Sequence, residues 1–240
     1  MAKEERNYNR RYAREYNIFR TMFYYLMIFV LVKPYMDKYY NYTITGRENL
    51  PKHKKANKLI YAGNHVSELD PPILTFAVMR PIAYMAKKEL FEKSEKRSWL
   101  VKRLGAFAVD RAKPEIATFK TVRDILKTHW SLGVFPQGGT KPYGKLNDLK
   151  KGFVVIAKKA EADIIPVAID GWDGYPDKNQ KKPIQKKDIR IHICKPISYK
   201  LDEDEIMYLW SKEISEHANY TEIMPKPEKM KTAEEAVTAG

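Results

Sequence analysis

Short apolar runs alternate with helical patterns along most of this 240-residue chain, and this alternation is the strongest constraint on its fold. Runs of strand length lie at 42–46, 58–62, 82–86, 106–109, 132–135, 164–169 and 189–194. Helical patterns lie between and after them, at 73–79, 87–92, 99–104, 114–130, 149–160 and 202–218. Short strands that alternate with helices form largely parallel sheets covered by those helices. The sequence therefore predicts an α/β sandwich with a central, mostly parallel sheet flanked by helices.

Two residues within the predicted strands are informative about their surroundings. Pro166 lacks a backbone N–H, so its strand is expected at a sheet edge or at a bulge. Cys194 is the single cysteine, which excludes an internal disulfide and indicates a reducing compartment. By alternation it shares a strand face with Arg190 and His192, opposite the isoleucines, which predicts partial exposure of its thiol.

The chain carries a large positive charge. Lysine and arginine number 44 and aspartate and glutamate 30, which gives a formal net charge of +14. Such a surplus suits polyanionic partners, which include nucleic acids, anionic membranes and phosphorylated substrates. The aromatic residues cluster near the N-terminus and no nucleic-acid-binding signature is present, so we expect no nucleic acid partner.

Residues 1–42 form a basic and aromatic block. Its charge-free run, 21–32, has twelve residues, fewer than the roughly 20 that cross a bilayer. Residues 33–35 offer no cleavage site of the signal-peptide kind. Tyrosines beside basic residues favour the headgroup region, so we expect a membrane-interfacial helical anchor. The alternative is an apolar helix packed on the core. Residues 43–224 then form the main domain and 225–240 a solvated tail.

A histidine and an aspartate stand at the strand-to-helix turn after 58–62. Asp70 suits the N-cap of the following helix and Pro71 its first position. Residues five apart on one helix point about 140° from each other, so His65 and Asp70 meet only if the backbone turns between them. Gly63 favours such a turn. A histidine held by a carboxylate is typical of a general base that takes a hydroxyl proton. The alternative is a helix cap beside an ordinary loop histidine.

Two further strand-to-helix turns carry residues that suit an anionic ligand. Arg111 directly follows the strand 106–109, and Gly138 and Gly139 follow another strand, with Lys141 just beyond. Ligands of open α/β sheets bind where strands end and helices begin. A base beside such groups fits attack by the hydroxyl of a phosphorylated acceptor. Taken singly, the arginine also fits an ordinary surface position and the glycines a plain turn.

Together and in this order, four blocks resemble the glycerolipid acyltransferases, specifically the 1-acylglycerol-3-phosphate acyltransferases. The Asn-His-x4-Asp block corresponds to Asn64-His65 through Asp70, and the Gly-x-Phe/Ile-x-x-x-Arg block ends at Arg111. The Phe-Pro-Glu-Gly-Thr-Arg block lies on 135–140, and a proline within a hydrophobic strand corresponds to Pro166. The resemblance spans about residues 43–200.

The third block departs from the family pattern at two positions. Gln137 stands where the family has glutamate, and Thr140 stands where it has arginine. Lys141, one place later, is a cation but lacks the planar fork of arginine. These changes concern the choice of acceptor more than the reaction, because His65 and Asp70 are intact.

The resemblance implies acyl transfer from a thioester, acyl-CoA or acyl carrier protein, to the hydroxyl of lysophosphatidate, with phosphatidic acid as product. It implies His65 as base and Asp70 as its orienting group. The implied substrate-binding residues are Asn64, Arg111, Gln137, Gly138, Gly139, Thr140 and Lys141. Of these, Arg111 and Lys141 are expected to hold the acceptor phosphate, and backbone N–H groups near Gly138 to face the oxyanion.

The implied reaction requires neither a metal nor a cofactor other than the thioester co-substrate. The remaining histidines, His53, His129, His192 and His217, are scattered without ligand spacing. The resemblance also implies a peripheral, monotopic protein on the cytoplasmic face of a membrane.

Three alternatives remain open at this point. In the first, the chain is an acyltransferase whose acceptor is glycerol-3-phosphate or another lysophospholipid. In the second, it is a non-catalytic membrane-bound relative. In the third, it is a basic nucleic-acid-binding protein.

Overall fold

A computed structural model describes residues 10–52, 58–92, 94–109, 116–142, 144, 146, 149–171, 186–221 and 223–230. The strands are β1 (Tyr40–Thr45), β2 (Leu59–Gly63), β3 (Ile82–Lys87), β4 (Phe107–Val109), β5 (Ser131–Val134), β6 (Asp163–Asp170) and β7 (Lys187–Ile193). The helices are α1 (Ile18–Met27), α2 (Lys33–Tyr39), α3 (Asp70–Val78), α4 (Glu89–Glu92), α5 (Glu95–Arg103), α6 (Ile116–Leu126), α7 (Gly152–Ala160) and α8 (Glu203–Ala218).

The strands form one seven-stranded sheet in the order β1-β7-β6-β2-β5-β3-β4. Strands β2 to β6 all run parallel to one another. Strand β7 pairs with β6 in the antiparallel direction, and β1 pairs with β7 in parallel. All five residues of β2 are buried, as expected of a central strand covered on both faces. The predicted α/β architecture with a mostly parallel sheet is confirmed.

The helices pack in two groups. Helices α6, α7 and α8 lie side by side, and α8 also packs on β6. Helix α3, which follows β2, packs against the N-terminal helical segment. Some boundaries differ from the sequence prediction: α5 begins at Glu95, four residues early, and α7 begins at Gly152, three residues late. Helix ends are the least certain part of a pattern-based prediction, because fraying and capping are local.

The N-terminal segment Ile18–Tyr39 is a continuous helix of 22 residues, with a π-helical turn at Ile28–Val32 between α1 and α2. By length and composition alone it is long enough and apolar enough to cross a membrane. The helix is thus longer than its charge-free run. It shares the core of the following domain, because Tyr24, Ile28 and Met36 are buried in the same apolar cluster as the sheet.

The opposite face of this helix is apolar and exposed. We call it the apolar surface; it consists of Ile18, Phe19, Met22, Leu26, Phe29, Val30 and Leu31. Each of these side chains is more than half exposed. A soluble surface rarely presents so many large apolar side chains together, so this face is typical of an interaction site. The helix therefore combines both alternatives, a packed face and an unpacked one.

The structure distinguishes between the two predicted settings of Pro166 and corrects the prediction for Cys194. β6 is an interior strand, so Pro166 lies not at an edge but at an irregularity of the bulge kind in the strand pairing. Ile164 pairs with Ile197 and Val167 with Ile193. Between these two pairs, the segment that faces β6 has one residue more than β6 itself. The Pro166 carbonyl accepts a hydrogen bond from the Cys194 N–H, just past the end of β7. Proline has no N–H to donate, and it is tolerated here because the regular strand pairing is already interrupted. Cys194 is fully buried, not partly exposed, and burial raises the pKa of its thiol.

Candidate active site

Two loops meet at the carboxyl edge of the parallel strands. One joins β2 to α3 and contains His65, and the other follows β5 and contains Gln137. β2 and β5 are hydrogen-bonded neighbours, so their carboxyl ends lie side by side. This is the edge at which open α/β sheets bind ligands.

His65 and Asp70 are in direct contact. His65 Nδ1 lies 2.7 Å from Asp70 Oδ2, and both side chains are buried, that of Asp70 completely. Since a carboxylate only accepts, Nδ1 carries the ring proton and donates it, which leaves the Nε2 lone pair as the proton acceptor. The predicted pairing across a turn is confirmed.

Asp70 is the first residue of α3 rather than its cap. Its Oδ2 also accepts from the backbone N–H groups of Val66 (2.6 Å) and Ser67 (2.9 Å), while the cap position is Leu69. Pro71 is therefore the second helical residue, not the first. The Asp70 carboxylate folds the preceding loop back on itself, and that turn is what brings His65 to it.

The second loop holds His65 from the other side. The backbone N–H of His65 donates to Gln137 Oε1 at 2.6 Å, and its carbonyl accepts from the Lys141 N–H at 2.9 Å. The Phe135 ring stacks on the imidazole with centroids 4.2 Å apart. The loop 135–141 therefore fixes both the backbone and the ring of His65. Gln137, predicted to bind substrate, is buried and engaged with this backbone.

Asn64 ties the histidine loop to β6. Its amide Nδ2 donates to the Ile169 carbonyl (2.9 Å) and to the Tyr220 hydroxyl (3.0 Å), and its Oδ1 accepts from the Ile169 N–H (2.8 Å). The side chain is buried. The sequence does not predict this role for Tyr220, because 156 positions separate it from Asn64 and it lies in no motif.

The glycine turn has the conformation that glycine permits. Gly138 has φ +68°, and its N–H donates to the Phe135 carbonyl within the turn. That N–H is therefore used inside the loop rather than turned toward a ligand. Gly139 and Thr140 follow it, half-buried and exposed, between the two residues that bond to the His65 backbone.

Arg111 lies outside the described residues. Its strand β4 runs parallel to β2 and ends at the same edge of the sheet, three strands away in the order β2-β5-β3-β4. At about 4.8 Å between strands, the carboxyl ends of β4 and β2 are about 14 Å apart.

The prediction that the histidines are scattered is wrong for two of them. The His192 and His217 rings stack with centroids 3.8 Å apart, and the Cys194 thiol lies beside them. Burial, and then the charge of His217, lowers the pKa of His192. Spacing along the chain could not reveal this cluster, because it joins β7 to α8.

Comparisons with known proteins identify the family of the chain. The acyltransferase family model matches residues 41–170, which contain both loops. A 1-acyl-sn-glycerol-3-phosphate acyltransferase of Bacillus subtilis is 32% identical over 71% of this chain and 78% of its own. One from Borreliella burgdorferi is 30% identical over 57% of this chain, and the match spans only 54% of that relative.

The crystal structure of the 1-acyl-sn-glycerophosphate (LPA) acyltransferase PlsC from Thermotoga maritima has a similar fold. Its TM-score is 0.58 at 22% identity, over 86% of this chain and 91% of that one. The family match covers more than half of the chain and includes the paired histidine and aspartate. This chain therefore belongs to the acyltransferase family.

Proposed function

We propose that the protein transfers a fatty acyl group from a thioester donor, acyl-CoA or acyl carrier protein, to the free hydroxyl of lysophosphatidic acid. The products are phosphatidic acid and the free thiol. The observation that carries the proposal is the 2.7 Å contact between His65 and Asp70 at the ligand-binding edge of the sheet. The names of the relatives supply the acceptor, lysophosphatidate.

The first step is deprotonation of the acceptor. His65 Nε2 takes the hydroxyl proton as the hydroxyl oxygen attacks the thioester carbonyl carbon. Asp70 keeps the proton on Nδ1 and stabilises the imidazolium that forms, as in other carboxylate-histidine pairs. Because Phe135 and Gln137 fix the ring and the backbone, His65 needs little reorganisation when the substrates bind.

The second step is collapse of the tetrahedral intermediate. Its oxyanion needs hydrogen-bond donors, and we assign this role to the backbone N–H groups of Gly139 and Thr140 in place of Gly138. The carbon–sulfur bond then breaks, and the imidazolium of His65 returns its proton to the leaving thiolate. The thioester supplies the activated acyl group, so the proposed reaction uses no further cofactor.

The acceptor phosphate needs a cationic site. Lys141 is half-buried, and its backbone N–H donates to the His65 carbonyl, so Lys141 lies directly beside the proposed base. We assign the phosphate to Lys141 together with Arg111. Asn64 and Gln137 are engaged with backbone groups, so we assign them positioning roles rather than contact with substrate.

The apolar surface supports a location on a membrane. Helix α3, which begins at Asp70, packs against the π-helical turn of the N-terminal segment, so this surface and the base are supported by neighbouring elements. Trp99, whose ring packs edge-on against that of Phe23 on α1, is more than half exposed, with the Arg103 guanidinium over its ring. Exposed apolar side chains with basic and aromatic neighbours favour a peripheral, monotopic position in the anionic cytoplasmic leaflet.

The test is acceptor-dependent thiol release from palmitoyl-CoA in detergent micelles, with lysophosphatidate as acceptor and His65→Ala as the comparison. We expect wild-type release that falls by at least about 10³-fold in the variant. Glycerol-3-phosphate and a second lysophospholipid in parallel assays determine the acceptor.

Release that persists in His65→Ala would show that another group is the base. If the wild type releases no thiol, the assay is repeated with acyl carrier protein as donor. If no thiol is released with either donor, the protein is a non-catalytic relative and the proposal is overturned.

A further inference from the structure

A cluster of metal-ligating side chains lies away from the proposed active site. His192 is the penultimate residue of β7, and Cys194 directly follows that strand. Glu213 and His217 are one turn apart on α8. The candidate ligand atoms of His192, Cys194 and His217 all lie within 4.8 Å of one another. Strand β6 separates β7 from β2, the strand that precedes His65.

We infer that this cluster binds a zinc-class divalent ion through His192, Cys194 and His217, with Glu213 as the fourth ligand. Thiolate with imidazole is the donor set that zinc prefers, and a carboxylate completes four-coordination in many proteins.

Glu213 contacts one of the other three residues. Its Oε2 lies 3.6 Å from His217 Nε2, while the Cys194 thiol lies 4.0 Å from the His192 carbonyl oxygen. The spacing Glu213-x3-His217 places both side chains on one face of α8. The His192, Cys194 and His217 donors converge from two parts of the chain that are distant in sequence, and Glu213 adjoins them through His217.

His192 is oriented as metal-binding histidines are. Its Nδ1 lies 2.8 Å from the Thr45 hydroxyl on β1, which leaves Nε2 available to an ion. An oxygen partner on the second ring nitrogen is the usual support of a histidine ligand.

The size of the cluster is compatible with an ion after small side-chain shifts. Ligand bonds of about 2.0–2.3 Å place the atoms of a tetrahedral site about 3.3–3.7 Å apart. The observed separations, within 4.8 Å, need movements of about 1 Å, and one of the two stacked imidazole rings must also rotate so that both nitrogen lone pairs face the ion. Cys194 lies buried at the bottom and His217 exposed at the top, so an ion can enter from solvent. On binding, Cys194 gives its thiol proton to the buffer and forms the sulfur–metal bond.

The ion would join β7 to the C-terminal turn of α8. That helix end leads directly to Tyr220, the hydroxyl that bonds to Asn64 beside the base. The expected role is therefore structural, since an ion that binds only the folded chain stabilises it by an amount that rises with the logarithm of the ion concentration above Kd.

The experiment uses the full chain, freed of any affinity tag and dialysed against EDTA. Cobalt(II) is added and the absorption spectrum followed, and then zinc(II) is added as a competitor. We expect visible d–d bands and a near-ultraviolet thiolate-to-cobalt band that saturate at one ion per chain and disappear with zinc. Zinc alone should raise the melting temperature.

Three variants test the ligands. Cys194→Ser should lose the thiolate band. His217→Gln, at an exposed site that tolerates substitution, should weaken zinc binding by about 100-fold, and Thr45→Val by about 10-fold. Lys212→Gln, on the same helix, serves as the control and should bind like wild type. No thiolate band in the wild type, an unchanged melting temperature with zinc, or wild-type affinity in His217→Gln would each overturn the inference. None of these measurements depends on acyl transfer.

Discussion

The backbone N–H of His65 donates a 2.6 Å hydrogen bond to Oε1 of Gln137, a side chain 72 positions further along the chain. The family pattern has glutamate at this position, and the acceptor that the His65 backbone requires is a single oxygen. An amide oxygen supplies it as a carboxylate oxygen would. The departure at Gln137 therefore leaves the support of the His65 backbone intact.

Replacing Gln137 by leucine should lower kcat by about 10- to 100-fold. The buried N–H of His65 would lose its acceptor, at about 1–3 kcal/mol, and the loop would shift. Steady-state thiol release measures the effect. Gln137→Glu keeps an acceptor oxygen and should stay within a few-fold of wild type, so equal losses in both variants would contradict this role.

Asp70→Asn should lower kcat by about 10³- to 10⁴-fold with little change in KM. The neutral amide no longer favours the tautomer with the proton on Nδ1, and it stabilises no imidazolium. Glu68→Gln removes an exposed carboxylate from the same loop and is the matched control. Comparable losses of kcat in both variants would mean that turnover depends on the total negative charge of this loop rather than on the contact between Asp70 and His65.

Asn64 and Tyr220 should be energetically coupled. In urea unfolding, Tyr220→Phe should reduce the free energy of unfolding by about 1 kcal/mol, and Asn64→Ala by more, since it also strips the Ile169 backbone of partners. The double variant should lose less than the sum, with a coupling of about 0.5–3 kcal/mol. Strict additivity would show that the hydrogen bond between the two side chains contributes nothing.

The apolar surface should bind anionic vesicles. Phe19→Glu combined with Leu26→Glu should weaken binding in vesicle sedimentation by at least about tenfold, because each apolar side chain contributes about 1.5–3 kcal/mol when buried in lipid. Both side chains are exposed, so the melting temperature should be unchanged. Ile223→Glu alters an exposed apolar side chain outside the apolar surface and should bind normally. Undiminished binding by the double variant would place the membrane contact elsewhere.

Gly138→Ala should destabilise the protein by about 1–2 kcal/mol and reduce turnover. At φ +68° a Cβ is strained, and it would lie 3.0 Å from Lys150 Cγ, so the loop that holds His65 would move. Gly152→Ala is the control: its added Cβ meets nothing within 4 Å at the start of α7, and it should stabilise by about 0.5–1 kcal/mol. Thermal unfolding of the two variants in parallel checks both signs.

The fold class and the contact between His65 and Asp70 follow from local patterns in the sequence. Alternating apolar runs predicted the sheet because strand and helix periods are local properties of the chain. The pairing of His65 with Asp70 was predictable because both residues lie in one short turn. The assignment that failed, the partial exposure of Cys194, concerns which elements cover a strand face, and the packing of the whole chain sets this. The choice between an edge and a bulge at Pro166 depended on strand order in the same way.

The surroundings of His65 and Asp70 depend instead on long-range packing. The acceptor for the His65 backbone comes from the loop after β5, and the partner of Asn64 comes from beyond α8. The histidine and cysteine cluster joins β7 to α8 in the same way. Local patterns carry no information on such contacts, because these side chains meet only after burial of the apolar core has fixed the positions of distant elements.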